Sequence, residues 1–454
     1  MDTKVMFNAL GTTLKYASFV FLVPIIVTLI YSEYFAIPYF FLSFLVALIL
    51  GLVLERLFYT EKETRLSEGM VIIAMIWLVV TLISTIPFVF AGGMSFIDAF
   101  FESMSAWTTT AFSMLNLEQA LQSILFLKSF LQWVGGIGIV VLALSGLFKT
   151  GNTLYIAEGH ERIRPNVINS IKTIWWIYIF YTIIGVSLLF GVGMPLFDSV
   201  NHAMTGIATG GMGTHSESIG FYNSSAIEAV MMLIMLLGAI SFFSHYQLIA
   251  GNRRKFFKDI QTITLILLII VVTLLLLPFH FLRETLFHVV SAVTCSGFSI
   301  QNLINWSDYS KVLLIMLMVF GGAAGSTVGG LKLNRILIFF KSIYDNIKKL
   351  LKPRLVFPRR IGSLIYTDKE FQAIFKFIGI YIFFLVLGSL ILMSQGYSAI
   401  NSLFQVASAQ GNVGLSVVSE LSIISKLILI FNMWIGRLEI WAVLVFIIYI
   451  LRRR

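Results

Sequence analysis

The chain has 454 residues, of which 58% are hydrophobic and only 12% are charged. A soluble protein of this length needs many more charged side chains to cover its surface, so this composition excludes a soluble globular protein. The formal net charge is +10, from 32 Lys and Arg against 22 Asp and Glu, and the single cysteine excludes an intrachain disulfide.

The first elements are two apolar stretches, 14–31 and 38–54, that predict a pair of N-terminal helices. Their length is close to the ~20 residues with which a helix crosses the core of a bilayer. A helix also satisfies its own backbone hydrogen bonds, as lipid requires. We therefore expect a two-helix unit over 1–68.

The rest of the chain repeats one pattern four times. Each repeat has a long apolar helix, a short semi-polar helix, a turn rich in Gly, Thr or Ser, and a second long apolar helix. The predicted elements are 69–91, 95–107, 108–113 and 122–148; 173–194, 196–207, 208–214 and 224–250; 260–281, 283–293, 294–299 and an interrupted 308–345; and 371–394, 398–409, 410–416 and 422–450. The short helices cannot span a bilayer and predict re-entrant segments.

These repeats predict an all-α integral membrane fold in which four helix–pore helix–filter loop–helix units surround a central pore. The expected repeat boundaries are 69–150, 151–258, 259–360, which contains the interrupted helix, and 361–454.

Basic residues alternate with charge-poor segments along the chain. Lys and Arg gather mainly in 149–172, 251–259 and 341–369 and at the last three residues, whereas four polar segments lack them: 108–121, 208–224, 295–310 and 411–421. The positive-inside rule places the basic segments and both termini in the cytoplasm. A nucleic-acid-binding patch would not alternate so regularly with apolar spans, so we expect no nucleic-acid partner.

The four turns align with one another. They read Thr110-Ala111-Phe112-Ser113, Gly210-Gly211-Met212-Gly213, Ser296-Gly297-Phe298-Ser299 and Val413-Gly414-Leu415-Ser416, and their second residues are separated by 100, 86 and 117 positions. Glycine reaches backbone conformations with positive φ, and four converging loops can supply rings of carbonyl oxygens that replace the hydration shell of a cation. The alternative is that these small residues only permit tight turns or close helix packing, which is less plausible for four aligned turns.

We therefore expect the turns to form a selectivity filter that binds a cation through backbone carbonyls. The candidate filter residues are Thr109, Thr110, Ala111, Thr209, Gly210, Gly211, Cys295, Ser296, Gly297, Asn412, Val413 and Gly414.

A glycine-rich run, 321–330, interrupts the last helix of the third repeat. Irregular backbone at membrane depth is tolerated where it is buried in protein or lines water, so one interpretation is a gating loop beneath the filter. An unbroken helix is the alternative, because Gly321, Gly325 and Gly329 have the spacing of a close-packing motif. A nucleotide phosphate loop is excluded because Lys332 follows leucine where that motif requires Gly-Lys.

Arg437 lies about midway along the predicted helix 422–450. A central arginine costs about 2.5–3.5 kcal/mol in a membrane helix, so we expect it to face the pore below the filter and act as an electrostatic barrier. The alternative is a packing ion pair with another helix. The candidate gate residues are Gly321, Gly322, Gly325, Ser326, Thr327, Gly329, Gly330 and Arg437.

The chain resembles the Trk/Ktr/HKT superfamily of potassium and sodium transporters, and its N-terminal helix pair is most similar to the TrkH branch. The resemblance covers nearly the whole chain and is carried by Asp98-Ala-Phe-Phe-Glu102-Ser, Thr108-Thr109-Thr110, Gln132-Trp133-Val134-Gly135-Gly136, Gly210-Gly211-Met212, Thr214-His215, Gly321-Gly-Ala-Ala-Gly-Ser-Thr-Val-Gly-Gly-Leu-Lys332 and Gly436-Arg437-Leu438-Glu439.

The resemblance implies that the filter glycines are Gly211, Gly297 and Gly414. The first repeat departs from the family pattern with Ala111. A left-handed alanine would cost about 1–2 kcal/mol, so we expect this turn to be either strained or shaped differently. Sodium-selective members of the family have serine at this place. The resemblance also implies a homodimer with one pore per subunit. A further implied partner is a cytoplasmic, nucleotide-binding RCK subunit, similar to TrkA or KtrA, that docks on the basic segments.

The expected function is channel-like potassium uptake across the plasma (inner) membrane. The membrane potential would drive it, because each elementary charge gains about 2.3 kcal/mol per 100 mV. The alternatives are a sodium or mixed K⁺/Na⁺ transporter and an ion-coupled secondary transporter. We see no catalytic constellation and expect neither enzyme activity nor a bound cofactor.

Overall fold

The computed structural model describes residues 1–138, 167–352, 360–361, 364–365 and 367–452. The α-helices of the described residues, numbered in chain order, are α1 Thr3–Ala17, α2 Val23–Ile30, α3 Ile37–Leu57, α4 Leu66–Phe90, α5 Phe96–Trp107, α6 Gln122–Ile137, α7 Val167–Gly191, α8 Leu196–Ile207, α9 Ser225–Ala239, α10 Phe242–Ile249, α11 Arg253–Phe257, α12 Ile260–Leu276, α13 Leu282–Val293, α14 Asp308–Phe320, α15 Leu333–Leu351, α16 Asp368–Ser394, α17 Ala399–Gln410, α18 Ile423–Arg437 and α19 Trp441–Leu451. Two short strands, β1 Arg360–Ile361 and β2 Leu364–Ile365, pair in antiparallel fashion. The all-α class is confirmed.

Long apolar helices dominate the described residues. Five spans are long and apolar enough to cross a membrane: Thr3–Ile30, Tyr34–Leu57, Leu66–Phe90, Asn169–Gly191 and Glu370–Ser394. Two further helix pairs, α9 with α10 and α18 with α19, pass the same test together but are sharply bent, which raises the count to seven if each pair is one span.

The N-terminal pair differs from the prediction at its start. The first helix was expected over 14–31, but α1 begins at Thr3 because the Asp2 side chain accepts the Lys4 amide and caps it. Near the end of α1, Lys15 forms an ion pair of 2.6 Å with Glu55 of α3. A window of hydropathy alone misses such a helix end.

The four short helices lie where the sequence places them. They are α5, α8, α13 and α17, each 12 residues long. Each packs against long helices of its own repeat, as α5 does against α4 and α6. Their C-terminal halves are buried and lead directly into the four turns, so all four helices point their C-terminal ends into the protein interior.

The predicted continuous helix 224–250 is wrong, because it bends by 100° between α9 and α10. The interrupted segment of the third repeat causes the break by taking backbone hydrogen bonds that the helix would otherwise make. Ala323 donates its amide to the Ala239 carbonyl at 3.1 Å, and Phe242 donates its amide to the Gly325 carbonyl at 2.8 Å. The Ser241 side chain then caps the new helix at the Phe243 amide.

The predicted continuous helix 422–450 is also wrong, because it bends by 115° between α18 and α19. Glu439 and Ile440 have φ values of 54° and 61° at the bend, a conformation that is costly for a β-branched residue. Arg437 is therefore the last residue of a helix rather than a mid-helix residue.

The second long helix of the first repeat was expected over 122–148. Residues 122–137 form α6 as predicted, and residues 139–148 lie outside the described residues. Most of the basic segment 149–172 and part of 341–369 also lie outside them.

Candidate functional site

The four turns begin with the same backbone path. Ala111, Gly211, Gly297 and Gly414 occupy equivalent places in the four turns and are here called the filter positions. The residue two positions before each of them has positive φ: Thr109 at 57°, Thr209 at 49°, Cys295 at 51° and Asn412 at 53°. In every repeat the next amide then donates back to a carbonyl of the short helix. These bonds are Thr110 to Ser105 at 2.8 Å, Gly210 to Thr205 at 2.7 Å, Ser296 to Ser291 at 2.9 Å and Val413 to Ser408 at 2.8 Å. Unlike side chains thus occupy one backbone geometry at the start of each turn.

Neighbouring turns touch one another around a ring. A Cβ atom added to Gly211 would overlap the Ser296 carbonyl oxygen, and one added to Gly297 would overlap that of Val413. The fourth turn meets the first, because the Ala111 amide donates to the Val413 carbonyl at 3.2 Å. The turns therefore follow one another around the ring in the order second, third, fourth and first.

Gln132 closes the ring between the first and second turns. Its side-chain amide donates to the carbonyl oxygens of Thr110 at 3.1 Å and Gly210 at 3.0 Å, and its Oε1 accepts the Met212 amide at 3.1 Å. A carbonyl oxygen has two lone pairs. The Gly210 carbonyl therefore retains one beside its bond to Gln132, whereas the Thr110 carbonyl also accepts the Ser105 hydroxyl and uses both. The sequence contained Gln132 within a recognised motif, but no local signal indicated that it joins two turns.

Of the two alternatives for the first turn, strain at Ala111 or a different shape, the structure has the different shape. Gly211, Gly297 and Gly414 have φ values of 78°, 73° and 99°, whereas Ala111 does not have positive φ. The first turn instead directs the Ala111 amide to Val413, while Gln132 holds the preceding carbonyl, that of Thr110. Repeat 1 therefore carries no left-handed strain at this residue, and its geometry differs from that of the other three.

An outer cavity of about 680 Å³ opens above the ring. Ala111, Gly211, Gly297 and Gly414 all line it, so the four filter positions face one shared space. Glu118 lies close by and accepts the Ser216 amide at 3.1 Å. This hydrogen bond keeps the pKa of the Glu118 carboxyl below its usual value.

The interrupted segment lies on the other side of the ring. The helix stops at Phe320 and resumes at Leu333, which excludes the unbroken-helix alternative. The Thr327 hydroxyl shares its single proton between the Ile207 and Gly238 carbonyls, at 3.1 and 3.0 Å. It accepts from the Thr209 hydroxyl at 3.1 Å. The segment is thus bonded directly beneath the second turn.

Glycine is required at the closest approaches of this segment. A Cβ atom on Gly329 would overlap the carbonyl oxygen of Gly411, at the base of the fourth turn. Gly321, Gly325 and Gly330 have φ values of 67°, 72° and 72°, which other residues adopt only at a cost. The glycine-rich composition therefore follows from the path of the segment under two turns.

Arg437 also lies beneath the turns. Its guanidinium donates to the Thr109 hydroxyl at 3.3 Å, to the Thr327 carbonyl at 3.0 Å and to the Gly136 carbonyl at 2.8 Å, and it also donates to the Gly135 carbonyl. The Arg437 guanidinium stays positively charged when carbonyl oxygens accept its hydrogen bonds, so it repels any other cation. The structure thus brings Arg437, the first turn and the interrupted segment together.

Glu439 fastens the end of the interrupted segment to the bend that follows Arg437. It accepts from Lys332 at 2.7 Å and from Arg335 at 2.5 Å. Lys332 has a φ of 70° and Glu439 a φ of 54°, so both residues of this ion pair have a strained backbone. Sequence spacing could show only that Glu439 does not face Arg437, because its partners lie more than a hundred positions away.

The space between the interrupted segment and Arg437 is small. A cavity of about 40 Å³ is lined by Gly325, Gly329, Lys332, Arg437 and Glu439, among other residues. A single water needs roughly 10–15 Å³ of such volume, so only a few water molecules fit. The two cavities, with the ring between them, are here called the passage. It is wide on the outer side of the ring and narrow beneath the ring.

Known proteins with related sequences are transporters. The family model of TrkH, described as a cation transport protein, matches residues 36–283 and 280–453. An uncharacterized cation transporter of Methanocaldococcus jannaschii is 38% identical over 98% of this chain and 95% of its own length. The Trk system potassium uptake protein TrkH of Escherichia coli is 32% identical over 93% of this chain and 94% of its own length.

A solved structure has the same architecture. The crystal structure of the potassium transporter TrkH from Vibrio parahaemolyticus matches with a TM-score of 0.86 and 30% sequence identity, and the match covers 98% of both chains. These relatives are named as transport proteins, which confirms the expectation of a transporter rather than an enzyme.

Proposed function

This chain belongs to the TrkH family of cation transport proteins, and from this premise we propose that it takes up potassium through the ring of four turns. It is a multi-pass membrane protein, and relatives that match nearly its whole length are named potassium uptake proteins. The observation that carries the proposal is the contact of all four turns around one ring, at the base of a shared outer cavity.

Backbone carbonyls in this ring would bind the ion. Potassium loses its hydration shell on entry, and converging carbonyl dipoles replace the lost water. Each short helix adds the negative end of its dipole, equivalent to about half an elementary charge, near the ring. These contributions favour a cation without any ionised side chain in the filter.

The interrupted segment and Arg437 would form the gate. The hydrogen bonds of Thr327 and Arg437 support this role, because they hold the segment and a positive charge in the narrow part of the passage. Opening would require the segment to move away from the second turn. Uptake would follow the membrane potential, with about 2.3 kcal/mol for each charge per 100 mV.

We infer the membrane location and the partners of the chain from its charge distribution and from its family. The basic residues of 251–259 and of α15, here called the basic face, support a location of this face in the cytoplasm together with both termini. The membrane would be the plasma (inner) membrane. A homodimer with one complete pore per subunit is consistent with four turns in one chain. The basic face would receive a nucleotide-binding RCK subunit of the TrkA or KtrA type.

A mixed K⁺/Na⁺ transporter is the second candidate, because Ala111 gives the first turn a geometry unlike that of the glycine turns. The different turn changes the arrangement of the coordinating carbonyls, on which discrimination between K⁺ and Na⁺ depends.

A flux measurement distinguishes the two candidates. Purified protein in liposomes with an inside-negative potential should accumulate K⁺ at least about tenfold faster than Na⁺, as a difference of ~1.4 kcal/mol between the two ions would give. Protein-free liposomes provide the control. Equal K⁺ and Na⁺ rates would overturn the potassium assignment, and the absence of both fluxes would overturn transport by this chain.

A further inference from the structure

Each short helix carries one buried polar side chain nine residues before its filter position. These four side chains, here called the brace side chains, are Glu102, His202, His288 and Gln405. Their exposed fractions are 0%, 0%, 0% and 1%. Burial of a polar group is costly without a hydrogen bond, so the partners of these side chains reveal their role.

In the first repeat the brace holds the chain just after the filter turn. Glu102 accepts the Ser113 hydroxyl at 2.8 Å through Oε1 and the Met114 amide at 2.7 Å through Oε2. A hydrogen bond to a carboxylate is roughly twice as strong as a neutral one. The fully buried Lys128 balances the charge, and its Nζ has no hydrogen-bond partner within the described part of the chain.

The fourth repeat forms the same two bonds with a neutral side chain. Gln405 accepts the Val417 amide at 3.4 Å through Oε1. The same oxygen lies 3.1 Å from the Ser416 hydroxyl, which shares its proton between Gln405 and the Val418 carbonyl at 2.9 Å. Ser416 and Val417 occupy the positions that Ser113 and Met114 occupy in the first repeat. The two braces are therefore equivalent in position and differ in charge.

The third repeat has a single bond of this kind, and the second repeat has none. His288 donates from Nδ1 to the Glu284 carbonyl at 2.8 Å and accepts the Ile300 amide on Nε2 at 3.4 Å. His202 donates from Nδ1 to the Asp198 carbonyl at 2.9 Å, but its Nε2 has no hydrogen-bond partner among the described residues. The number of brace bonds is thus two, none, one and two from the first repeat to the fourth.

A brace ties the segment that leaves the filter to the helix that enters it, so the turn is fixed at both ends. Discrimination between K⁺ and Na⁺ depends on the size and stiffness of the carbonyl ring. We propose that Glu102, His288 and Gln405 are positioning residues that set ion selectivity by fixing the filter turns. In the second repeat His202 has no such role, because the chain after the turn is held by the Met212 amide on Gln132 and by the Thr214 hydroxyl on Asp198. This inference rests on the proposed function.

The two histidines provide a matched pair of variants. His288→Met and His202→Met each remove one Nδ1 bond within a helix, but only His288→Met also removes a brace bond. Loss of one buried hydrogen bond should lower the ratio of K⁺ to Na⁺ flux about fivefold in His288→Met. The ratio in His202→Met should stay near the wild-type value.

Rescue separates positioning from general destabilisation. His288→Gln should restore most of the wild-type flux ratio, because Gln405 shows that a glutamine accepts this bond in the fourth repeat. If His288→Met does not reconstitute, Ser113→Ala is the substitute variant, since it removes one donor to Glu102 with a minimal change in volume. That variant should lower the ratio about twofold, less than loss of a backbone donor.

The outcomes are distinguishable from failure of the proposed function. Wild-type protein that selects potassium, together with an unchanged flux ratio in His288→Met, overturns the brace inference alone. An equal fall in His202→Met overturns it as well, because that variant loses no brace bond. Wild-type protein without potassium flux overturns the proposed function itself.

Discussion

An Arg437→Ala variant is expected to carry potassium about thirtyfold faster than the wild-type chain. A unit charge about 8 Å from the ion costs ~2 kcal/mol at an effective permittivity of ~20, and this difference is about thirtyfold in rate. The variant also frees the Thr327 carbonyl from its guanidinium partner, which loosens the interrupted segment. Initial rates of Rb⁺ uptake into proteoliposomes at a fixed potential measure the effect.

Arg437→Lys is the control because it keeps the charge and loses the planar fork of donors. Its flux should stay within about threefold of the wild-type rate if charge is the barrier. An equal rise in both variants would show that the hydrogen bonds, and not the charge, restrict the passage. Unchanged uptake in Arg437→Ala would remove Arg437 from the gate.

A Gly211→Ala variant is expected to lose at least about tenfold in potassium flux, since a left-handed alanine alone costs ~1–2 kcal/mol. Gly211 has a φ of 78°, and the added Cβ atom would overlap the Ser296 carbonyl oxygen. The third turn must therefore shift for the variant to fold. The same Rb⁺ uptake assay reports the loss.

Gly379→Ala provides the matched control for this substitution. Gly379 lies in the long helix α16, and a Cβ atom added there would meet nothing within 4 Å. The control should keep wild-type flux. Normal flux in Gly211→Ala, with the fold intact, would mean that the second turn does not line the conduction path.

The sequence predicts the repeat architecture because each signal is local. Apolar stretches of spanning length, helices too short to span and small residues in the turns all act within about twenty positions. The aligned turns at Gly211, Gly297 and Gly414 could be found for the same reason. The structure then places these turns in contact, although pairs of them lie up to a few hundred positions apart.

The parts that sequence reasoning missed depend on distant partners. The bend after α9 arises because Ala323 and Gly325 of the third repeat bond to the second repeat. Likewise, Gln132 and Glu439 have partners in other repeats. No periodicity within one segment encodes such contacts, so continuous helices were the natural prediction.

Ala111 shows the limit of transferring geometry between repeats. The other three filter positions have left-handed glycine, and the sequence left open whether the aligned alanine shares that conformation with strain or the turn has a different shape. The first turn avoids the left-handed conformation by bonding its amide to Val413 and its preceding carbonyl to Gln132. Alignment therefore located the residue correctly but did not determine its backbone conformation.

Anomalous scattering from Rb⁺ tests most directly whether four peptide turns jointly bind a dehydrated cation. Crystals grown in rubidium should show a peak enclosed by Gly211, Gly297, Gly414 and Ala111, with carbonyl oxygens as its nearest neighbours. The peak should weaken when Na⁺ replaces Rb⁺. Rubidium bound elsewhere, with the space between these four residues empty, would contradict this account of the pore.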